Sequence, residues 1–138
     1  MNYMNIRTQS IVIVDDNTAA ADALARLLGA IGFEAYARYS AEDALHRLPE
    51  DNPGLMLIDI GMPGMDGYEL VAELRVRGFD AIPKVALTGY GLAEDKERAR
   101  AAGFVQHLTK PIGLAELRSV VTYLKTSDTA KEEEATRL

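Results

Sequence analysis

LMLIDIGMPGMDG, residues 55–67, is the stretch whose reading decides the fold. Leu55-Met56-Leu57-Ile58 is a short unbroken apolar run that stops at one acid, Asp59. Gly61, Pro63, Gly64 and Gly67 then break the chain. An apolar run of this length, bounded by turn residues, fits a strand buried on both faces. An acid at the end of such a strand sits at the rim of a sheet, which is where ligands bind in open α/β folds. Asp59 is therefore expected to be a phosphate-accepting carboxylate that the rest of the chain equips.

The same strand type recurs outward from this stretch. Ser10-Ile11-Val12-Ile13-Val14 is β-branched and apolar and ends in Asp15-Asp16. Asn17 or Thr18 can cap a following helix carrying Ala20, Leu24, Leu27, Leu28 and Ile31 on one face, closed by Gly29 and Gly32. Phe33–Tyr39 alternates like a half-buried edge strand. Ser40 and Asp43 resemble a capping box for a short helix ending at Leu48, with Pro49–Gly54 as a loop. Asp66 and Glu69 cap a helix with Leu70, Val71 and Leu74 inside, ending near Gly78.

Ile82–Thr88 reads as a fourth strand and Gly89-Tyr90-Gly91 as a flexible loop. Leu92–Ala102 reads as a helix with a weak inner face, stopped by Gly103. Phe104–Leu108 is a fifth strand, ending in Thr109-Lys110-Pro111. Leu114, Leu117, Val120, Val121 and Leu124 line the last helix, a stripe that reads chiefly as core. Five alternations of strand and helix imply a parallel sheet with helices on both faces. The fold expected is a flavodoxin-like (βα)5 sandwich, strand order 2-1-3-4-5, with its switch point between strands 1 and 3. Asp16 and Asp59, 43 positions apart, then meet in space.

Composition limits the function classes. With 138 residues, 48% hydrophobic and 26% charged, the chain can bury the core of one domain. The expected division is a leader over 1–9, a domain over 10–125 and a polar tail over 126–138 that includes the solvated KEEE run, 131–134. A net charge of −6 argues against a nucleic-acid surface, which needs clustered Lys and Arg. No apolar run approaches the ~18 residues of a membrane span. MNYMNIRTQS lacks the build of a secretory signal, and cysteine is absent, which excludes disulfides and thiol catalysis. A cytoplasmic location is expected.

Three carboxylates at one rim repel one another and call for cations. A hard, oxygen-only site suits Mg²⁺, and Lys110 arrives from strand 5 as a second cation. Thr88 brings a hydroxyl from strand 4. This set suits phosphoryl transfer to a carboxylate. Lys110-Pro111 also invites a cis peptide bond.

The chain resembles the receiver domains of two-component response regulators. The resemblance rests on Asp15-Asp16, Asp59 followed by MPGMDG (62–67), Thr88, and Lys110-Pro111, in order at successive strand ends, and it covers about residues 8–125. It implies that Asp59 accepts a phosphoryl group from a histidine kinase or histidine phosphotransfer domain. It implies Mg²⁺ on Asp16, Asp59 and the Gly61 carbonyl, with Asp15 acting largely through water. Lys110 would hold the phosphoryl group and Thr88 would swing towards it. The face formed by helix 4, strand 5 and helix 5 would then change its binding of a downstream target protein. Such a domain assists only its own phosphorylation and dephosphorylation, inserts in no membrane, and works as a monomer or weak dimer.

Three positions depart from the common pattern. His107 stands where many family members carry Tyr or Phe; an imidazole can rotate and titrate there, although simple packing on strand 5 is the plainer reading. Gly61 presents no side chain to the phosphoryl group, and Tyr90 places a ring near the mouth, so both are expected to tune phosphoryl lifetime. His46, on a polar helix face, is expected to be inert.

Other readings compete. A haloacid-dehalogenase-type phosphatase also uses an Asp nucleophile, but its second acid would fall at Gly61. A flavodoxin needs a hydroxyl- and glycine-rich first loop for phosphate, where this chain has Asp15-Asp16-Asn17. A degenerate receiver would bind partners without phosphorylation. Leu87-Thr88-Gly89-Tyr90-Gly91 resembles receivers attached to hybrid histidine kinases, so an excised receiver or a phosphorelay intermediate is a further alternative.

Overall fold

The computed structural model describes residues 9–89 and 93–124. Residues 1–8 of the expected leader, Tyr90, Gly91, Leu92, Lys125 and the tail lie outside the described residues. The elements are β1 (Ser10–Val14), α1 (Thr18–Ala30), β2 (Ala35–Arg38), α2 (Ala41–Asp51), β3 (Pro53–Asp59), α3 (Gly67–Val76), β4 (Lys84–Thr88), α4 (Ala93–Ala102) and β5 (Gln106–Thr109). A last helix, α5, spans 114–124. The five strands pair in parallel in the order β2-β1-β3-β4-β5, as the sequence implies.

Successive residues of a strand face opposite sides of the sheet, so each central strand feeds two cores. Val12, Val14, Met56, Ile58 and Ala86 pack against α2, α3 and Phe104. Ile11, Ile13, Leu55, Leu57, Val85 and Leu87 pack against α1 and α5. Leu55 to Ile58 are fully buried. At roughly 1.5–3 kcal/mol each, these four side chains anchor the strand that carries Asp59. In α5, Leu117, Val120, Val121 and Leu124 are buried, but Leu114 is 36% exposed and is not core.

Several boundaries differ from the sequence reading, each because a hydrogen bond is used elsewhere. Phe33 N–H closes α1 on the Leu28 carbonyl (2.9 Å), so β2 begins only at Ala35. Phe104 N–H likewise closes α4 on Ala99 (3.1 Å), and β5 begins at Gln106 and includes Thr109. Helix α2 continues through Pro49 to Asp51. Pro49 costs one backbone donor in the last turn. Asn52, at φ 42°, compensates by donating to the Leu48 carbonyl, and Asp51 is held by Arg38 in a two-pronged pair (2.8 and 2.9 Å). Pro53 then opens β3 directly, leaving almost no loop.

At β4 the cause is Lys84, which is only 2% exposed. Its ammonium donates to the carbonyls of Ile82 (2.8 Å), Phe79 and Asp80 (both 3.1 Å). Burial pushes its pKa down, with Asp80 pulling the other way. The Ile82 carbonyl is thus committed to a side chain and Pro83 has no N–H, so the strand starts at Lys84 rather than Ile82.

Helix α3 is fixed tightly against the end of β3. Asp66 and Glu69 form a full reciprocal capping box. A side chain at Gly67 would lie 2.7 Å from Ile60 Cα and 2.9 Å from the Asp59 carbonyl oxygen, so only glycine permits this approach.

Candidate functional site

The parallel register places Asp15, Asp59, Thr88 and Lys110 at the carboxyl ends of four adjacent strands. Asp59 lies opposite Leu87 and Thr88 opposite Thr109. Asp15 is completely buried, Asp59 is 9% exposed, and Asp16 is exposed. One carboxylate oxygen from each of the three lies within 4.8 Å of the others. Three hard oxygen donors at this spacing fit a divalent cation such as Mg²⁺.

Lys110 Nζ stands 3.0 Å from Asp15 Oδ2 and 3.3 Å from Asp59 Oδ2. The other oxygen of each acid is also engaged. Asn17 N–H donates to Asp15 Oδ1 and Gly61 N–H to Asp59 Oδ1, both at 3.0 Å. Asn17 also uses its side chain to cap α1 through Ala20 N–H, so the turn after β1 is doubly fixed. The Lys110–Pro111 peptide bond is cis, as expected.

Electrostatics follow from this packing. Burial pushes the Asp15 carboxyl up; its bonds from Asn17 and Lys110 oppose that, while Asp59 adds to it. Burial alone would lower Lys110, but the hydrogen bond to Asp15 and the charges of both acids outweigh it, and its pKa rises. The site therefore holds a buried carboxylate at a cost, and a lysine that stays cationic across the neutral range.

Thr88 Oγ1 is buried and has no hydrogen-bond partner among the described residues. His107 pairs in register with Ala86, two residues before Thr88 on the same sheet face, and is half-buried in a groove against α4. A Cβ added at Gly61 would meet only Asp59 Oδ1, at an ordinary 3.7 Å, so the space beside that carboxylate is open. Tyr90 lies outside the described residues.

The sequence reading missed one link near the site. The Arg98 guanidinium lies 4.0 Å from the centre of the Tyr68 ring, and Tyr68 meets Phe104 edge-on at 6.2 Å. This bridges α3, which begins beside the Asp59 turn, to α4. Tyr68 and Arg98 are 30 positions apart, and no local pattern signals their contact. Beside the acids, Ala20, Ala23, Leu24 and Leu27 of α1 and Pro111-Ile112 wall an apolar recess of about 190 Å³.

A five-stranded parallel sheet with an acidic, lysine-paired pocket at its switch point defines a flavodoxin-like protein whose three acids are spaced to suit a cation. The chain belongs to the response regulator receiver domain family, which it matches over residues 11–122. It is similar to an uncharacterised 14.6 kDa protein of Leptolyngbya boryana, at 36% identity over 112 residues, covering 80% of this chain and 86% of the relative. It is also similar to the sensor histidine kinase RcsC of Escherichia coli K12, at 33% identity over 112 residues. That match takes in 81% of this chain but only 12% of RcsC. Among solved structures, a putative response regulator from Chloroflexus aurantiacus superposes with a TM-score of 0.78 at 28% identity, covering 85% of this chain and 98% of that one. The chain is a receiver domain of two-component signalling, related both to response regulators and to the receivers of hybrid kinases. No helix among the described residues is long and apolar enough to cross a membrane.

Proposed function

We propose that Asp59 is the phosphoacceptor of this receiver and that the pocket around it is the switch. The observation that carries this reading is the placement of Lys110 Nζ between Asp15 and Asp59, inside a cluster of three converging carboxylates. An Asp59 oxygen attacks phosphorus in line, the phosphorus–nitrogen bond of a phosphohistidine breaks, and the histidine departs with the bonding electrons and takes up a proton. Lys110 holds the equatorial phosphoryl oxygens. Asp16, Asp59 and the Gly61 carbonyl would hold Mg²⁺ directly, and Asp15 through water. The ion, when bound, supplies neutralisation of negative charge on the phosphoryl oxygens.

Thr88, whose hydroxyl lacks a partner among the described residues, then donates to a phosphoryl oxygen. Its movement alters the face formed by α4, β5 and α5 and so the binding of a target protein, with His107 following it inward. The donor is a histidine kinase or a histidine phosphotransfer domain. The similarity to RcsC supports a second reading, a receiver acting as an intermediate in a phosphorelay. We place the protein in the cytoplasm, as a monomer or weak dimer without direct nucleic-acid binding.

The test is incubation with Mg²⁺ and acetyl phosphate. The expected result is a base-labile mass gain of one phosphoryl group that does not form when a chelator is present from the start. No gain, with a donor active on a control receiver, overturns the reading.

In this reading Gly61 and Tyr90, two positions after Asp59 and Thr88 in sequence, tune the lifetime of the acyl phosphate. Gly61→Asn together with Tyr90→Glu is expected to change the first-order decay of the phosphorylated form. An unchanged decay rate removes both from the mechanism.

A further inference from the structure

We infer that the groove between α4 and β5 is a docking site for this chain's own acidic tail, the run Glu132-Glu133-Glu134. The groove has about 220 Å³ of space and is lined by Ala99, Phe104, Val105 and Gln106, together with the charged side chains of Lys96, Arg100 and one acid, Glu97. Val105 is an exposed apolar side chain at 48%. Lys96 has no acidic partner among the described residues. Arg100 meets only Glu97, at 3.8 Å between side chains more than three-quarters exposed, a pair worth little in water. The groove thus offers two cations against one acid, Glu97, and a short acidic segment can engage both cations without breaking a strong bond. His107 also lines the groove.

The tail leaves the described structure next to this groove. Tyr123 Oη donates to Gln106 Oε1 at 3.0 Å, and Gln106 is itself a lining residue. The chain continues beyond Leu124 within two residues of that contact. Eight residues carry it from Leu124 to Glu132, up to about 28 Å when extended. A tether this short gives an effective concentration on the order of 1 mM, so even a millimolar interaction fills the groove about half of the time. Occupancy covers part of the α4–β5 surface, so the tail competes with any partner that uses it. The inference stands on the groove and the tail alone and is independent of phosphorylation at Asp59.

The absence of cysteine makes a clean test available. A single Ala135→Cys carries a nitroxide label on the full chain, and amide peak intensities are read with the label oxidised and reduced. The expected result is selective loss of the Lys96, Arg100 and 104–107 signals, relieved by Glu132→Gln/Glu133→Gln/Glu134→Gln, by Lys96→Glu/Arg100→Glu, and by about 0.5 M salt, which screens exposed charges. Loss at another surface, no loss, or loss indifferent to both charge variants overturns the proposal. So does loss that persists between labelled and isotope-bearing copies mixed from separate preparations, since the groove would then take a second molecule.

Discussion

Asp59→Asn is expected to reduce phosphoryl uptake from acetyl phosphate by more than about a thousandfold, the scale seen when a nucleophile is removed, and to leave the fold intact. The amide is nearly isosteric with the carboxylate but has no anionic oxygen to attack phosphorus. Its carbonyl oxygen can still accept the Gly61 N–H that the carboxylate accepts at 3.0 Å. Lys110 retains Asp15 at 3.0 Å. Asp15, whose carboxyl is pushed up by burial and also by Asp59, is relieved of the second of these. Thermal melts of the variant are therefore expected to match or exceed those of the parent, while intact-mass spectra lose the base-labile adduct. An adduct retained in the variant moves the acceptor to another side chain. A variant that fails to fold is excluded by the same melt, so the two explanations for lost uptake stay apart.

The parts of this site that were legible in the sequence are those fixed by strand ends. Ile11 to Val14 and Leu55 to Ile58 are apolar until the residue where they meet acid, so Asp15, Asp16 and Asp59 were placed by simple periodicity. Thr88 and Lys110 followed from counting strands, and Lys110 does reach both acids. Features that depend on tertiary approach left no such trace. Nothing within IPKVALT marks Lys84 as buried, because its three carbonyl partners are gathered only when residues 79–82 fold around it. Pro49 looked like the end of a helix, yet the helix continues because Asn52 and the Arg38–Asp51 pair secure its last turn. Gly67 looked like one turn glycine among several; its need to be glycine comes from the backbone of Ile60, seven positions earlier. The strand ends erred by one or two residues wherever a backbone donor closed a helix instead of extending a ladder.

Lys110→Met is expected to damage both stability and chemistry. Removing one member of a buried ion pair costs roughly 3–5 kcal/mol. Here the lysine is about one-third exposed, so a loss of about 2 kcal/mol near neutral pH is the reasonable expectation. The loss has a pH signature. The folded-state pKa of Asp15 is already raised, and without the ammonium it rises further. Between 3.8 and that raised value the folded chain binds more protons than the unfolded chain, so folding gains stability as pH falls through it. The deficit of the variant should shrink in acid. Lys110 is also raised, so its contribution is complete below 10.5 and is lost as pH climbs through its folded value. The deficit should shrink again in strong alkali, giving a maximum between the two limits. Mg²⁺ is expected to restore much of the lost stability, since a cation among the three acids relieves the same repulsion. Phosphoryl uptake should nevertheless remain about 10²–10³-fold down at saturating Mg²⁺, because a donor aimed at the phosphoryl oxygens is missing. Lys110→Arg separates the two roles: its charge should return most of the stability, while its broader fork, placed beside Asp15 and Asp59, should return little of the uptake. Full recovery of uptake by Mg²⁺ alone would reduce Lys110 to a counter-ion and remove it from the chemistry.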